Sequence, residues 1–198
     1  MDKNICGAIL SGGKNLRMNG VNKAFMKING FSIIRRTIGL FKKMFDEIIL
    51  VTNSPKEYII YKKDTIIIED IIRNVGPLGG IYSALCRTSK PAVFFAACDM
   101  PFLHSGLLKK QIDYFNKINC DVLIPRRGAT IEPLHGIYKK SINNKLGRFL
   151  QTSKNYAIHN FLKTVNVKYI DFSKYEDIFK NINTPGDLAD ASKIKSPD

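Results

Sequence analysis

Short apolar runs alternate with amphipathic stretches along this chain, and that alternation constrains its fold more than any single residue does. Ile5 to Leu10 is a continuous apolar run, after which Ile33, Ile34, Ile38, Phe41 and Phe45 recur at helical spacing. The rhythm repeats as a strand over Glu47 to Thr52, a short helix over Lys56 to Lys62, a strand over Thr65 to Ile68, a helix over Gly80 to Arg87 and a strand over Ala92 to Cys98. Leu107 to Phe115 then reads as a helix and Asp121 to Pro125 as a strand. Strands apolar on both faces, with helices between them, imply a mainly parallel sheet covered on both sides. The expected fold class is α/β, a three-layer α/β/α sandwich. In the second half Glu132 to Tyr138 reads as a strand, Lys145 to Gln151 and Asn160 to Val165 as helices, and Val167 to Phe172 as a strand. Thr184 and Pro185 suit the N-cap and first turn of a last helix over Asp187 to Ala191.

At 198 residues and 44% apolar composition, the chain suffices for one domain with a proper core. We expect a single domain over 1–192, with an N-terminal part of about 1–103, a C-terminal part of about 104–192 and a polar tail at 193–198. No apolar run approaches the roughly 18 residues of a membrane-spanning helix, so the expected compartment is the cytoplasm. Cys6, Cys86, Cys98 and Cys120 are far apart within apolar segments and read as reduced core residues rather than a disulfide framework or zinc site. The net charge of +14, from 31 basic and 17 acidic residues, suits phosphate-bearing ligands. The excess is mostly Lys scattered among Ile and Asn, which a general compositional bias would also produce.

Ligands of open parallel sheets bind beyond the carboxyl ends of the strands, so the loops after strands are where polar residues matter. The first such loop runs from Leu10, Ser11, Gly12 and Gly13 through Arg17 to Lys23, two adjacent glycines followed by basic side chains. Glycine lets backbone N–H groups approach phosphate or base oxygens closely. The loop is not a P-loop: Gly7 to Gly13 is one residue too long, and Asn15 stands where Ser or Thr would bind magnesium. A second loop carries Glu69 and Asp70 and leads to Gly76-Pro-Leu-Gly-Gly80. A third places Asp99 directly after the apolar Val93 to Cys98; an acid there needs a partner, and Mg²⁺ is the usual one at a phosphate site. The alternative for Asp99 is a helix N-cap. Glu132-Pro-Leu-His-Gly-Ile-Tyr138 and Asn181-Ile-Asn-Thr-Pro185 suit binding better than catalysis, and His135 reads as a structural histidine.

Taken in order, L-x-G-G, R-M, K, E-D, G-P-L-G-G, C-D-M-P-F, E-P-L-H-G-I-Y and N-I-N-T-P resemble the molybdenum cofactor guanylyltransferase (MobA) family from about Ile5 to Ala191. The resemblance implies a Rossmann-like, nucleotide-diphospho-sugar transferase fold. It also implies transfer of GMP from GTP to molybdenum-molybdopterin with Mg²⁺ as cofactor and release of pyrophosphate. Carried onto this chain, Leu10, Ser11, Gly12, Gly13, Lys23, Asn53, Asp70 and Asp99 would meet the nucleotide. Arg17, Lys23 and Asp99 would be catalytic, Asp99 would hold the metal, and Asn181 and Asn183 would lie on the acceptor side. A transient contact with molybdoenzymes or their chaperones follows from the product's instability, with neither nucleic acid nor membrane as partner. The chain departs from the family at Asn19, where glycine is usual, at Asn22, where aspartate precedes the lysine, and at Gly186, where an acid follows Thr-Pro.

Two other readings remain open at this level. A cytidylyltransferase of the same acceptor, or a sugar-phosphate nucleotidyltransferase, shares the first loop and the strand-end aspartate; the Gly12-Gly13 pair favours guanine. A basic nucleic-acid-binding protein on the same fold would need a basic stripe interleaved with aromatics, which the sequence does not display.

Overall fold

The computed structural model describes residues 2–12, 17–18, 21–175, 179, 182 and 186–187. Gly13, Asn19, Asn181, Asn183, Thr184, Pro185 and the tail 193–198 lie outside them, and of Arg17 the backbone alone is described.

The apolar run at Ile5–Leu10 forms β1, the centre of the sheet. Ile33–Met44 forms α1, Ile48–Val51 β6, Ile66–Ile68 β7, Pro77–Arg87 α2 and Ala92–Ala97 β8. Between β1 and α1 lie two hairpins, β2 (Arg17–Met18) with β3 (Val21–Asn22), and β4 (Lys27–Ile28) with β5 (Phe31–Ser32). The second turns on Asn29 and Gly30, both at positive φ, the backbone that an Asn-Gly pair adopts in tight hairpins. Its sequence signal was present but does not figure in the periodicity.

Beyond β8 come α3 (Ser105–Phe115), β9 (Val122–Arg127), β10 (Thr130–Ile131), β11 (Ile137–Lys139), α4 (Asn143–Thr152), α5 (Ile158–Leu162) and β12 (Val167–Asp171). The main sheet has the order β10-β9-β11-β8-β1-β6-β7, with β12 paired to β9. β1, β6, β7 and β8 are parallel, and β11 runs antiparallel between β8 and β9. The expected strand over Glu132 to Tyr138 is therefore shorter. Pro133–His135 forms a 3-10 turn, and pairing begins only at Ile137. Proline has no N–H to give a ladder, which explains the late start. The expected helix over Lys56 to Lys62 is a 3-10 run, Pro55–Tyr61.

Alternation along β1 divides the core. Ile5 and Ile9 face a layer with Phe41 of α1, Phe45 just after it, and Leu108 and Ile112 of α3, whereas Cys6 and Ala8 face Leu78 and Ile81 of α2 and Leu146 of α4. This is the three-layer sandwich expected. Gly7 is the one residue of β1 without a side chain because a Cβ there would lie 2.5 Å from Phe45 and 2.6 Å from Phe41. Cys6, Cys98 and Cys120 are buried as core residues; Cys86, on α2, is half-buried and accepts a hydrogen bond from Asn143 Nδ2 at 3.3 Å. No helix among the described residues is long and apolar enough to cross a membrane.

Candidate active site

The chain order β1, β6, β7 extends to one side of β1 and then crosses to β8 on the other, creating a topological switch point at the carboxyl end of β1. Register fixes what converges there. Leu10 pairs with Val51 and with Ala97, and Val51 pairs with Ile68, so Gly12, Asn53, Asp99 and Asp70 each lie two residues past the last paired rung. Four residues distant in sequence thus share one edge because their strands end level.

Side chains confirm the convergence. Asn53 Nδ2 donates to Asp70 Oδ2 at 2.8 Å, and the Asp70 N–H donates back to Asn53 Oδ1 at 3.3 Å. A Cβ on Gly12 would lie 3.8 Å from Asn53 Nδ2, placing the glycine loop against this pair. The start of α2 closes over the same corner: a Cβ on Gly80 would meet Leu10 Cδ2 at 2.9 Å and Asp70 Oδ1 at 3.5 Å, and one on Gly79 would meet the Ile72 carbonyl at 2.6 Å. The double glycine of the Gly76–Gly80 motif exists so that the helix can approach this closely. Burial raises the Asp70 carboxyl above its ordinary range, against the hydrogen bond from Asn53 and the Arg73 charge.

Asp99 follows β8 in a turn, and α3 begins only at Ser105 with His104 as its N-cap residue, so Asp99 is no helix cap. Burial raises its carboxyl, opposed by its own backbone hydrogen bond and by the charge of Lys23. Lys23 is 6% exposed, an unusual state for lysine, in the 3-10 turn Lys23–Phe25. Its charge acts on the Asp99 carboxyl. The Asp99 carbonyl also accepts the Ile182 N–H at 3.1 Å, which brings the C-terminal segment to the same edge.

Sequence reasoning missed two participants. Glu132 is raised by burial, lowered by Arg127 and raised by Asp99, so its carboxylate and that of Asp99 share one field; Arg127 lies 3.8 Å from Glu132. The Glu132 motif was visible, but its side chain's approach to Asp99 was not. Tyr58 is fully buried, its hydroxyl hydrogen-bonded to Ser11 Oγ and 2.8 Å from Asn22 Nδ2. Nothing in Ser54-Pro-Lys-Glu-Tyr58 signals this.

Chemically, the corner offers half-buried carboxylates, a buried lysine and backbone groups, without an activated nucleophile among the described residues. Burial pushes the Cys98 thiol up to about 12, which keeps it protonated. His135 is wholly buried between the rings of Phe94 and Phe179, at 4.9 and 5.2 Å, and burial drives it down to about 3, so it stays neutral as the structural residue expected. Ser11 is 3% exposed and its hydroxyl is hydrogen-bonded to Tyr58. Such a site suits direct transfer between two groups that bring their own charge.

Comparison with known proteins agrees. The family model for the MobA-like NTP transferase domain matches residues 7–167. A probable molybdenum cofactor guanylyltransferase of Peptoclostridium acidaminophilum is 34% identical over 94% of this chain and 87% of its own length. A molybdenum cofactor guanylyltransferase of Yersinia pestis is 32% identical over 94% of each. Among solved structures, molybdopterin-guanine dinucleotide biosynthesis protein A of Archaeoglobus fulgidus superposes with a TM-score of 0.79 at 29% identity, over 95% of this chain and 97% of that one. The Anaerococcus prevotii 4-diphosphocytidyl-2C-methyl-D-erythritol synthase, 17% identical, has the same fold at a TM-score of 0.74 over 96% of this chain and 95% of that one. With a matching domain over most of its length and full-length relatives above 30% identity, the chain belongs to the MobA-like NTP transferase family and is a nucleotidyltransferase.

Proposed function

We propose that this enzyme transfers GMP from GTP to the terminal phosphate of molybdenum-molybdopterin, forming the guanine dinucleotide cofactor and pyrophosphate. The observation that carries the reading is the half-buried Asp99 just past the end of β8, in the field of Lys23 and level with Gly12 past the end of β1. The names of the relatives supply the nucleotide and the acceptor.

The attacking group is a phosphate whose second pKa near 6 leaves it mostly dianionic at neutral pH, so the protein needs no strong base. Its task is to hold two polyanions in line and neutralise charge growing on the departing pyrophosphate. In this reading Leu10, Ser11, Gly12 and Gly13 cradle the nucleotide through the backbone. Asn53 and Asp70, locked to each other, present a fixed polar edge to it. Lys23 and Arg17 meet the phosphates, and Asn181 and Asn183 meet the acceptor. A divalent ion fits Asp99: its carboxyl is raised by burial, a cation relieves that penalty, and magnesium typically takes one or two carboxylates with substrate phosphates completing its shell. Bound there, Mg²⁺ would supply positive charge to the phosphate oxygens. The polar segment before Asp187 then belongs to an acceptor-side part beginning near residue 104, with the cytoplasm as compartment.

The deciding experiment is pyrophosphate release from purified protein with Mg²⁺ and molybdenum-molybdopterin, comparing GTP, CTP and ATP. Release with GTP alone establishes the base and the reaction. Release with CTP in preference makes the enzyme a cytidylyltransferase, and release with none overturns the proposal.

A further inference from the structure

Tyr58 ties the site together from outside it. It lies in the Pro55–Tyr61 run, 47 positions from Ser11 and 36 from Asn22. Its ring packs on Phe25, centroids 4.9 Å apart, and its hydroxyl meets both Ser11 Oγ and Asn22 Nδ2. The same Asn22 amide donates to Glu57 Oε2 at 2.9 Å, and Asn22 Oδ1 accepts the Ala24 N–H at 3.1 Å, capping the turn that carries Lys23. Both faces of the Asn22 amide are thereby assigned, nitrogen toward Glu57 and Tyr58, oxygen toward Ala24.

The hydrogen bonds have a direction. An amide nitrogen only donates, so the Tyr58 oxygen accepts from Asn22. Burial pushes the phenol up to about 12, so it keeps its proton at neutral pH and shares a hydrogen bond with Ser11 Oγ. Ser11 is where the chain leaves β1, and Asn22 is where it returns to the core. Asn22 pairs with Arg17 across the β2–β3 hairpin and immediately precedes Lys23. One hydroxyl therefore joins Ser11, at the end of β1, to Asn22, the residue before Lys23.

We propose that Tyr58 is a positioning residue for the nucleotide: with Asn22 oriented by Glu57, its hydroxyl holds two ends together, Ser11 with Gly12 and Asn22 with Lys23, so that Gly12 and Lys23 are presented together to a nucleoside triphosphate. Ordering these groups in the free protein lowers the entropy lost on binding. The glutamate also explains the asparagine. With a carboxylate already facing position 22, an amide donor fits where a second carboxylate would be repelled. The identity of the ligand rests on the GTP reading above; the joining of the two ends does not.

Tyr58→Phe removes the hydroxyl and keeps the ring on Phe25. Amide hydrogen exchange at Ser11, Gly12 and Asn22 to Ala24 should become faster without nucleotide. The Kd for GTP should rise about tenfold, equal to about 1.4 kcal/mol, with KM following it and kcat changing much less. Asn22→Asp removes both donors and sets a carboxylate against Glu57, so it should weaken GTP binding at least as much. Adding Glu57→Gln returns a donor and should recover most of the loss. A merely structural role would lower the melting temperature without separating KM from kcat and without rescue. The proposal is overturned if Tyr58→Phe leaves exchange or GTP affinity at the wild-type level, or if the double variant binds no better than Asn22→Asp. The exchange measurement needs no ligand: wild-type protein that fails to bind GTP refutes the functional reading, while exchange still decides whether Tyr58 joins the two ends.

Discussion

Asp99, half-buried, and His135, fully buried, respond to pH in opposite senses. The Asp99 carboxyl is raised, so its ionisation opposes folding; the penalty is present above its folded pKa and disappears as pH falls below its unfolded value near 4. Asp99→Asn should therefore melt higher than wild type at pH 7.5, lose that advantage near pH 4, and lose Mg²⁺-dependent turnover by on the order of 10²-fold or more. Unchanged turnover would remove Asp99 from the reacting centre. His135 is lowered to about 3, below the unfolded value of 6.5, so the unfolded chain binds the extra proton. Its contribution is full above pH 6.5 and is lost as pH falls, at up to about 1.4 kcal/mol per pH unit. His135→Phe, which keeps a ring between Phe94 and Phe179, should flatten the decline in stability between pH 6.5 and 4.5, measured by urea unfolding. An equally steep decline in the variant would place the acid sensitivity elsewhere.

At the scale of an element, the same change of one glycine to alanine should have opposite signs in two helices. Gly39 is exposed within α1, and a Cβ there meets nothing within 4 Å. Gly39→Ala should stabilise by about 0.5–1 kcal/mol through lower unfolded-chain entropy. Gly79 lies in α2, where a Cβ would come 2.6 Å from the Ile72 carbonyl, a backbone atom that cannot swing aside. Gly79→Ala should cost roughly 1–3 kcal/mol and weaken nucleotide binding by shifting Asp70. Parallel thermal melts of the two variants test both signs. These elements were legible because each is a local pattern: the apolar period of α1 and the uninterrupted runs of β1 and β8 need no distant partner to be recognised. The short pairs were harder. At two residues each, β2 to β5 are set by turn geometry and neighbours, and the strand read over Glu132 to Tyr138 lost its first half to Pro133.

For the whole molecule, the net charge of +14 bears on the proposed polyanionic substrates. The KM for GTP should rise by about two- to fivefold as salt increases from roughly 50 mM to 0.3 M, because added ions screen the long-range field. A KM indifferent to salt would make the charge a matter of composition alone. What the amino-acid order determined by itself was the α/β class, the sites of most strands and helices, and the loops in which Gly12, Asp70 and Asp99 lie. Each follows from residues near in sequence, through periodicity and through the strand-end position of an acid. The tertiary structure alone decided the meetings. Level strand ends bring Asn53 to Asp70, packing of distant segments sets Glu132 in the field of Asp99, and burial of the Pro55–Tyr61 run brings Tyr58 to Ser11 and Asn22. Such contacts depend on register and sheet order, which join positions tens of residues apart and leave no periodic trace in the chain.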